Sequence, residues 1–162
     1  MTGRTPVRPA AALLDWALRN SDASTGEALA PAEVRHALDR LVTVLPGVDL
    51  AGLSRSCGGH GRTLAATDRC VHRLDGEQHN RGDGPLVEAV RSGRAVRAEI
   101  TEVRTHWPSF VRGAREEHVH GFLIVPLTAP APGRTSTVTV SCYTRTPRAL
   151  DAVDEHDLSW RP

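Results

Sequence analysis

The sequence predicts an α+β domain: one antiparallel sheet whose strand pairs are separated by helices. Three observations predict it. Two segments before residue 46 carry apolar residues at helical spacing. From Val48 the period changes to two, around a glycine-rich turn at Cys57-Gly58-Gly59-His60-Gly61. The run from Gly121 to Leu127 is continuously apolar at strand length, and a second, alternating segment from Val138 to Tyr143 follows it.

Taken in order, residues 1–9 read as an arm. Ala10, Leu13, Leu14, Ala17 and Leu18 recur at helical spacing and predict a short amphipathic helix, with Trp16 on its exposed flank. Asn20 to Gly26 is rich in Ser, Asp, Thr and Gly and reads as a linker. A second helix starts at Pro31, a favourable first helical position, with Val34, Leu38, Leu41 and Leu45 as its apolar stripe and Pro46-Gly47 as its stop. Val48 to Ser56 and Arg62 to Asp68 form a hairpin. Asp68 caps a short helix carrying Val71 and Leu74, and Gly76 to Asp83 reads as a loop. Gly84-Pro85 opens a helix with Leu86, Val87 and Val90 inward and Gly93 as its stop. Val96, Ala98 and Ile100 alternate with Arg97 and Glu99 as a half-buried strand. A turn holding His106, Trp107 and Pro108 leads into a helix from about Ser109 to His118. Gly121 to Leu127 is a central strand covered on both faces, paired with Val138 to Tyr143 across a loop. Asp154 to Leu158 begins a further helix.

The bulk composition narrows the function. At 162 residues and 40% hydrophobic, the chain suits one domain with one ordinary core. All 20 basic residues are Arg, against 19 acidic ones, for a net charge of +1. A domain that neutralises phosphates carries a basic excess, so direct nucleic-acid binding is not expected. Cys57, Cys70 and Cys142 are an odd number, far apart and without a CxxC pair, which predicts a reduced, cytoplasmic protein without disulfides. The apolar run Ala10 to Leu14 is too short for a signal peptide or a membrane span.

No motif predicts catalysis. Gly58-Gly59-His60-Gly61-Arg62-Thr63 lacks the Gly-Lys-Ser/Thr ending of a phosphate loop and lies between strands, so it reads as a hairpin turn. Arg81-Gly82-Asp83 spells an adhesion tripeptide, but Gly82 and Gly84 are better explained as positive-φ turn positions feeding the helix at Pro85. His118 and His120 would share a strand face and could reach a metal with Cys142. With His118 assigned to the preceding helix, that geometry fails and no metal site is expected. Cys70 sits at a helix start, which favours thiolate, while Asp68 opposes it. No Ser-His-Asp or paired-carboxylate arrangement is visible.

Four segments resemble the GAF domains of actinobacterial regulators, which are often joined to an RNA-binding ANTAR output domain. They are Leu64-Ala65-Ala66-Thr67-Asp68, the stretch from Gly82 to Val96, Trp107-Pro108-Ser109-Phe110 with Ile124-Val125-Pro126-Leu127, and the strand ending at Tyr143 with Asp154-Glu155 beyond it. The resemblance implies a GAF-like central antiparallel sheet flanked by helices on both sides. It divides the chain into an arm and short helix at 1–30 and a GAF-like domain at 31–162 with a shortened final helix. It also implies a small-molecule pocket beside the sheet, bringing Asp68, Trp107, Phe110 and Val125 around one cavity, with Asp68 as helix cap and Trp107 as core the alternative readings. No ANTAR-like output segment is visible in the sequence, and Leu86 stands where relatives often carry a small residue or Cys. The function implied is a non-catalytic ligand-sensing or protein-interaction module in signalling or transcription control. A separate output protein would be its partner, and dimers would form through residues 10–45. The sequence does not identify a cofactor. The alternatives are a small redox enzyme of the free methionine sulfoxide reductase type, using Cys57 and Cys70, and a scaffold without ligand.

Overall fold

The computed structural model describes residues 7–19, 32–128 and 136–158. Its helices and strands are α1 (Arg8–Arg19), α2 (Ala32–Val44), β1 (Leu50–Cys57), β2 (His60–Ala66), α3 (Arg69–Arg81), α4 (Pro85–Ser92), β3 (Val96–Glu99), α5 (Pro108–Glu116), β4 (Gly121–Pro126) and β5 (Thr137–Thr144). The five strands form one sheet in the order β2-β1-β5-β4-β3, every pair antiparallel. The expected α+β class and the inner position of Gly121–Pro126, paired with β5, are both observed. Among the described residues no helix is long and apolar enough to cross a membrane.

Because strand side chains alternate, the inner strands contribute to two cores. Leu53, Leu123, Val125, Val138, Val140 and Cys142 face α1 and α2. Leu50, Phe122, Ile124 and Tyr143 face α3, α4 and α5. A bulge between Leu53 and Ser54 places both Leu64 and Ala65 in the first core. The α2 stripe is buried as expected, through Val34, Leu38, Leu41 and Leu45. The segment after β5 closes the same face with Leu150, Val153 and Leu158, held by Arg97, whose guanidinium donates to the carbonyls of Leu150 and Val153.

Several local expectations are corrected. The predicted loop from Gly76 to Asp83 is helical as far as Arg81. Gly76 weakens a helix by about 1 kcal/mol relative to Ala. Burial of Cys70, Val71, Leu74, Asp75 and Gln78 along one face outweighs it, and Gly82 ends the helix in a left-handed conformation. Trp16 is buried, not exposed, and Arg55 stacks over its ring at 5.7 Å. Leu18 stands outside the α1 stripe at 47% exposure. Ile100 leaves β3 for a 3-10 turn, Ile100–Glu102. Val87 and Val90 are half-buried, whereas Leu86 and Ala89 carry the inward face of α4. His118 lies beyond α5 with a left-handed φ of 58°. Asp154 caps a short 3-10 turn, Glu155–Asp157, in place of the start of an α-helix. The arm up to Pro6, the linker from Asn20 and Pro31 lie outside the described residues.

Candidate ligand-binding site

The polar chemistry of this chain collects on one face of the sheet, under α3. On β1, Ser54 pairs with Thr63 of β2 on one side and Thr139 of β5 on the other. One step toward the hairpin tip, Ser56 pairs with Gly61 and Thr137; one step away from it, Gly52 pairs with Ser141. These residues point to the same face, so hydroxyls form a band across three strands. Ser54, Thr139 and Ser141 are fully buried.

Helix α3 lays Asp75, Gln78 and His79 over this band. Tyr143 donates its hydroxyl hydrogen to Asp75 Oδ1 at 2.5 Å, and Gln78 Nε2 donates to the Tyr143 oxygen at 3.3 Å. Gln78 Oε1 accepts the backbone N–H of Leu86 at 2.8 Å, which ties α4 to the cluster. His79 Nε2 lies 3.1 Å from Ser54 Oγ. Two glycines permit the close approach. A Cβ at Gly52 would stand 2.7 Å from Asp75 Oδ2, and one at Gly61 would stand 2.1 Å from His79 Nδ1.

Burial governs the electrostatics. It pushes the Asp75 carboxyl up to about 7, against the opposing pull of the Tyr143 and Ser141 hydroxyls. It pushes the His79 imidazole down to about 4. Burial, followed by the neighbouring Asp75 charge, holds the Tyr143 phenol well above its ordinary value. Thr139 Oγ1 and Thr63 Oγ1 have no hydrogen-bond partner within the protein, whereas Ser141 lies within hydrogen-bonding reach of Asp75 and of Tyr143. Buried polar atoms in this state ordinarily serve an ordered water or a ligand.

The band opens outward. At the β1–β2 tip a groove of about 150 Å³ is lined by Ser56, Cys57, Gly61, His79, Val87 and Thr137, among others. Ser56 and Thr137 belong at once to the groove and to the band, and His79 joins the groove to Ser54. Two more open clefts, about 400 Å³ beside His118 and His120 and about 380 Å³ between Arg104, Arg112 and Arg115, lead to no buried polar group.

The four expected pocket residues are not brought together. Asp68 is exposed and caps α3, accepting the N–H of Cys70 at 2.9 Å; that contact holds its carboxyl below the ordinary value. Trp107 and Phe110 pack as core against Phe122, with ring centroids 6.2 and 5.4 Å apart. Val125 faces the opposite side of the sheet, among the residues under α1 and α2. Its parity on β4 decides this: Phe122 and Ile124 face α3–α5, so Val125 cannot. Cys57 lies at the hairpin tip and Cys70 at the start of α3, beyond the other end, roughly 20 Å of strand away. Burial raises the thiols of Cys70 to about 11 and Cys142 to about 12. His118 and His120 flank buried Val119 and are exposed. Asp75, His79, Ser54 and Ser141 did not stand out in the sequence, although Thr137, Thr139, Ser141 and Tyr143 already formed a polar line at period two.

No protein-family model and no curated relative matches the sequence. Solved structures do match the chain. The GAF domain region of a protein from Geobacter sulfurreducens PCA superimposes with a TM-score of 0.52 at 18% identity, over 70% of this chain and 74% of that one. The fold is a GAF fold. A GAF domain of nlh2 from A. aeolicus, in an inactive state, aligns with a TM-score of 0.50 at 12% identity, over 85% of this chain and 80% of its own. A type II free methionine-R-sulfoxide reductase from Thermoplasma acidophilum aligns with a TM-score of 0.52 at 15% identity, over 90% of this chain and 83% of the enzyme. In this chain the polar band lies beneath the α3–α5 layer, beside the aromatic core.

Proposed function

We propose that this chain is a small-molecule-sensing module of signal transduction or transcription control, without catalysis of its own, and that its ligand enters at the β1–β2 tip. The observation that carries this reading is the open groove at the β1–β2 tip, whose lining residues Ser56, Thr137 and His79 adjoin the buried hydroxyl band. The groove is below the ~300 Å³ of pockets that take drug-sized ligands, so the occupant is small. A ligand that binds one arrangement of the hairpin tip and α4 more tightly shifts the population toward it. Gln78 links the cluster to α4 and offers a route for that shift. The redox alternative is disfavoured by the separation of Cys57 from Cys70.

A separate output protein and self-association through α1 and α2 belong to the same proposal, within a cytoplasmic setting. Leu18 and Val44, the large hydrophobics most exposed among the described residues, lie on those two helices. The test of the sensor reading is a thermal-shift screen of small aromatic, basic or acidic metabolites. A ligand at a hundred times its dissociation constant adds about 2.7 kcal/mol of stability, several degrees for a domain of this size. Val87→Trp, which fills the groove, should abolish the shift while the protein stays folded. A screen without any stabilising compound would favour the ligand-free scaffold.

A further inference from the structure

We propose that the cleft beyond the C-terminal end of α5 binds a compact anion carrying two or more negative charges on phosphate or carboxylate groups, received by Arg115, His118 and Arg148. The cleft lies at the end of the sheet opposite the β1–β2 tip, so it is a second site, independent of the groove. Its volume, about 400 Å³, falls in the range of small-molecule pockets. Arg115, His118, His120 and Arg148 line it, and Glu99 is its one carboxylate among the described residues. A neighbouring cleft of about 380 Å³ shares Arg115 and adds Arg104 and Arg112. The side chains of these three arginines make no hydrogen bond or ion pair among the described residues. The acids nearby are committed elsewhere. Glu116 and Glu117 pair with Arg73. Glu99 accepts the backbone N–H of Arg148 at 2.6 Å and that of Glu102, while Glu102 accepts the N–H of Glu99. A recess lined mainly by one sign of charge concentrates the opposite sign, and a guanidinium matches the geometry of phosphate and carboxylate oxygens.

The backbone supplies an independent observation. Helix α5 ends in a Schellman arrangement: the N–H of Val119 donates to the carbonyl of Ala114 at 2.8 Å, and that of His118 to the carbonyl of Arg115 at 3.1 Å. The left-handed position of this motif ordinarily takes Gly, which has no Cβ to clash. The chain follows that rule at the ends of α3 and α4, with Gly82 and Gly93. At the end of α5 it places His118, with φ 58°. The other left-handed non-glycine residue among the described residues, Arg148 at φ 60°, lines the same cleft. Each conformation costs free energy that Gly would avoid, and both costs are borne at one recess. A cation at a helix C-terminus is favourable by itself, which could account for His118 but not for Arg148. The Schellman bonds also occupy the helix-end carbonyls that would otherwise repel an anion. Arg148 donates its Nε to Asp151 at 3.0 Å, and its terminal nitrogens stay open to a ligand among the described residues.

The experiment titrates pyrophosphate, citrate and acetate into the protein at constant ionic strength, followed by amide NMR shifts. One added charge-assisted hydrogen bond supports a difference of about tenfold. Pyrophosphate or citrate should therefore bind at least about tenfold more tightly than acetate, with shifts centred on His118, His120 and Arg148. The tighter of the two assigns phosphate or carboxylate as the charged group. Arg115→Gln should weaken that binding about tenfold. Val87→Trp, in the tip groove, should leave it unchanged, which separates this site from the groove. His118→Gly is the variant that distinguishes binding from structure. It should weaken the anion several-fold and yet raise the melting temperature, because Gly relieves the left-handed backbone. If His118 serves only the helix dipole, the melting temperature falls and binding is unchanged, and the inference is overturned. It is equally overturned by affinities no greater than that of acetate, by shifts scattered over arginines elsewhere such as Arg35 and Arg40, or by full affinity in Arg115→Gln.

Discussion

The two faces of the sheet are made from alternate residues of the same strands, yet they differ in kind. Toward α1 and α2 the surface is Leu53, Leu123, Val125, Val138, Val140 and Cys142, met by Leu13, Leu38 and Leu41. Toward α3–α5 it is aromatic at one end, with Phe122, Phe110, Trp107 and Tyr143. At β1 and β5 it is hydroxylic, under Asp75. The first face gains from burial alone, since aliphatic side chains need no partners. The second carries groups that cost free energy unless something satisfies them. The second face therefore combines an aromatic core with a band of buried polar groups that the first face lacks.

The largest expected effects would test whether both faces belong to one cooperative core. Phe122→Ala, at the centre of the aromatic cluster, should lower unfolding free energy by about 3–5 kcal/mol, and Leu41→Ala, under α2, by about 2–5 kcal/mol. Urea denaturation measures both. A loss below about 1 kcal/mol for Leu41→Ala would mean that the apolar face does not carry the fold.

A smaller effect should appear only on the polar face, and its sign depends on pH. Burial raises Asp75 from its ordinary value to about 7. Between about pH 4 and 7 the folded state holds a proton that the unfolded state has lost, so stability falls as pH rises. His79 acts oppositely: burial lowers it to about 4, the unfolded state binds the extra proton, and its contribution to stability falls as pH drops from about 6.5 to 4. The two slopes oppose each other between about pH 4 and 6.5. Asp75→Asn should therefore leave a melting temperature that rises with pH in that window, and His79→Gln one that falls. At about pH 8 Asp75→Asn should be more stable than the native protein by about 1–3 kcal/mol. Matching profiles for the two variants would show that neither group titrates on folding.

Two further substitutions lie at the margins of the comparison. Asp68→Ala removes the α3 cap and should cost about 1 kcal/mol, with no effect on ligand binding at the tip; a lost ligand response would return Asp68 to the site. Leu18→Ser and Val44→Ser should change monomer stability by no more than about 0.5 kcal/mol, yet weaken any self-association through α1 and α2. Sedimentation at micromolar concentration reads that difference, and an unchanged association state would remove these helices as the interface.

What was legible in the sequence is what depends on neighbours along the chain. The α2 stripe, the hairpin, the inner strand at Gly121–Pro126 and the Asp68 cap each follow from spacing within about a dozen residues. They sufficed for the α+β class. What tertiary structure alone decided is which of these residues meet. Asp75 looked like part of a loop because Gly76 interrupts the helical pattern, and only the sheet beneath α3 keeps that turn helical. Val125 looked like a pocket residue, but strand parity sends it to the other core. The site joins residue 75 to residues 141 and 143, and residue 54 to residues 79 and 139. Their meeting depends on the antiparallel register of β1 with β5 and on the Leu53–Ser54 bulge. Local periodicity says which face of an element is apolar; it carries no information on register, and register is what sets a carboxylate against a row of hydroxyls.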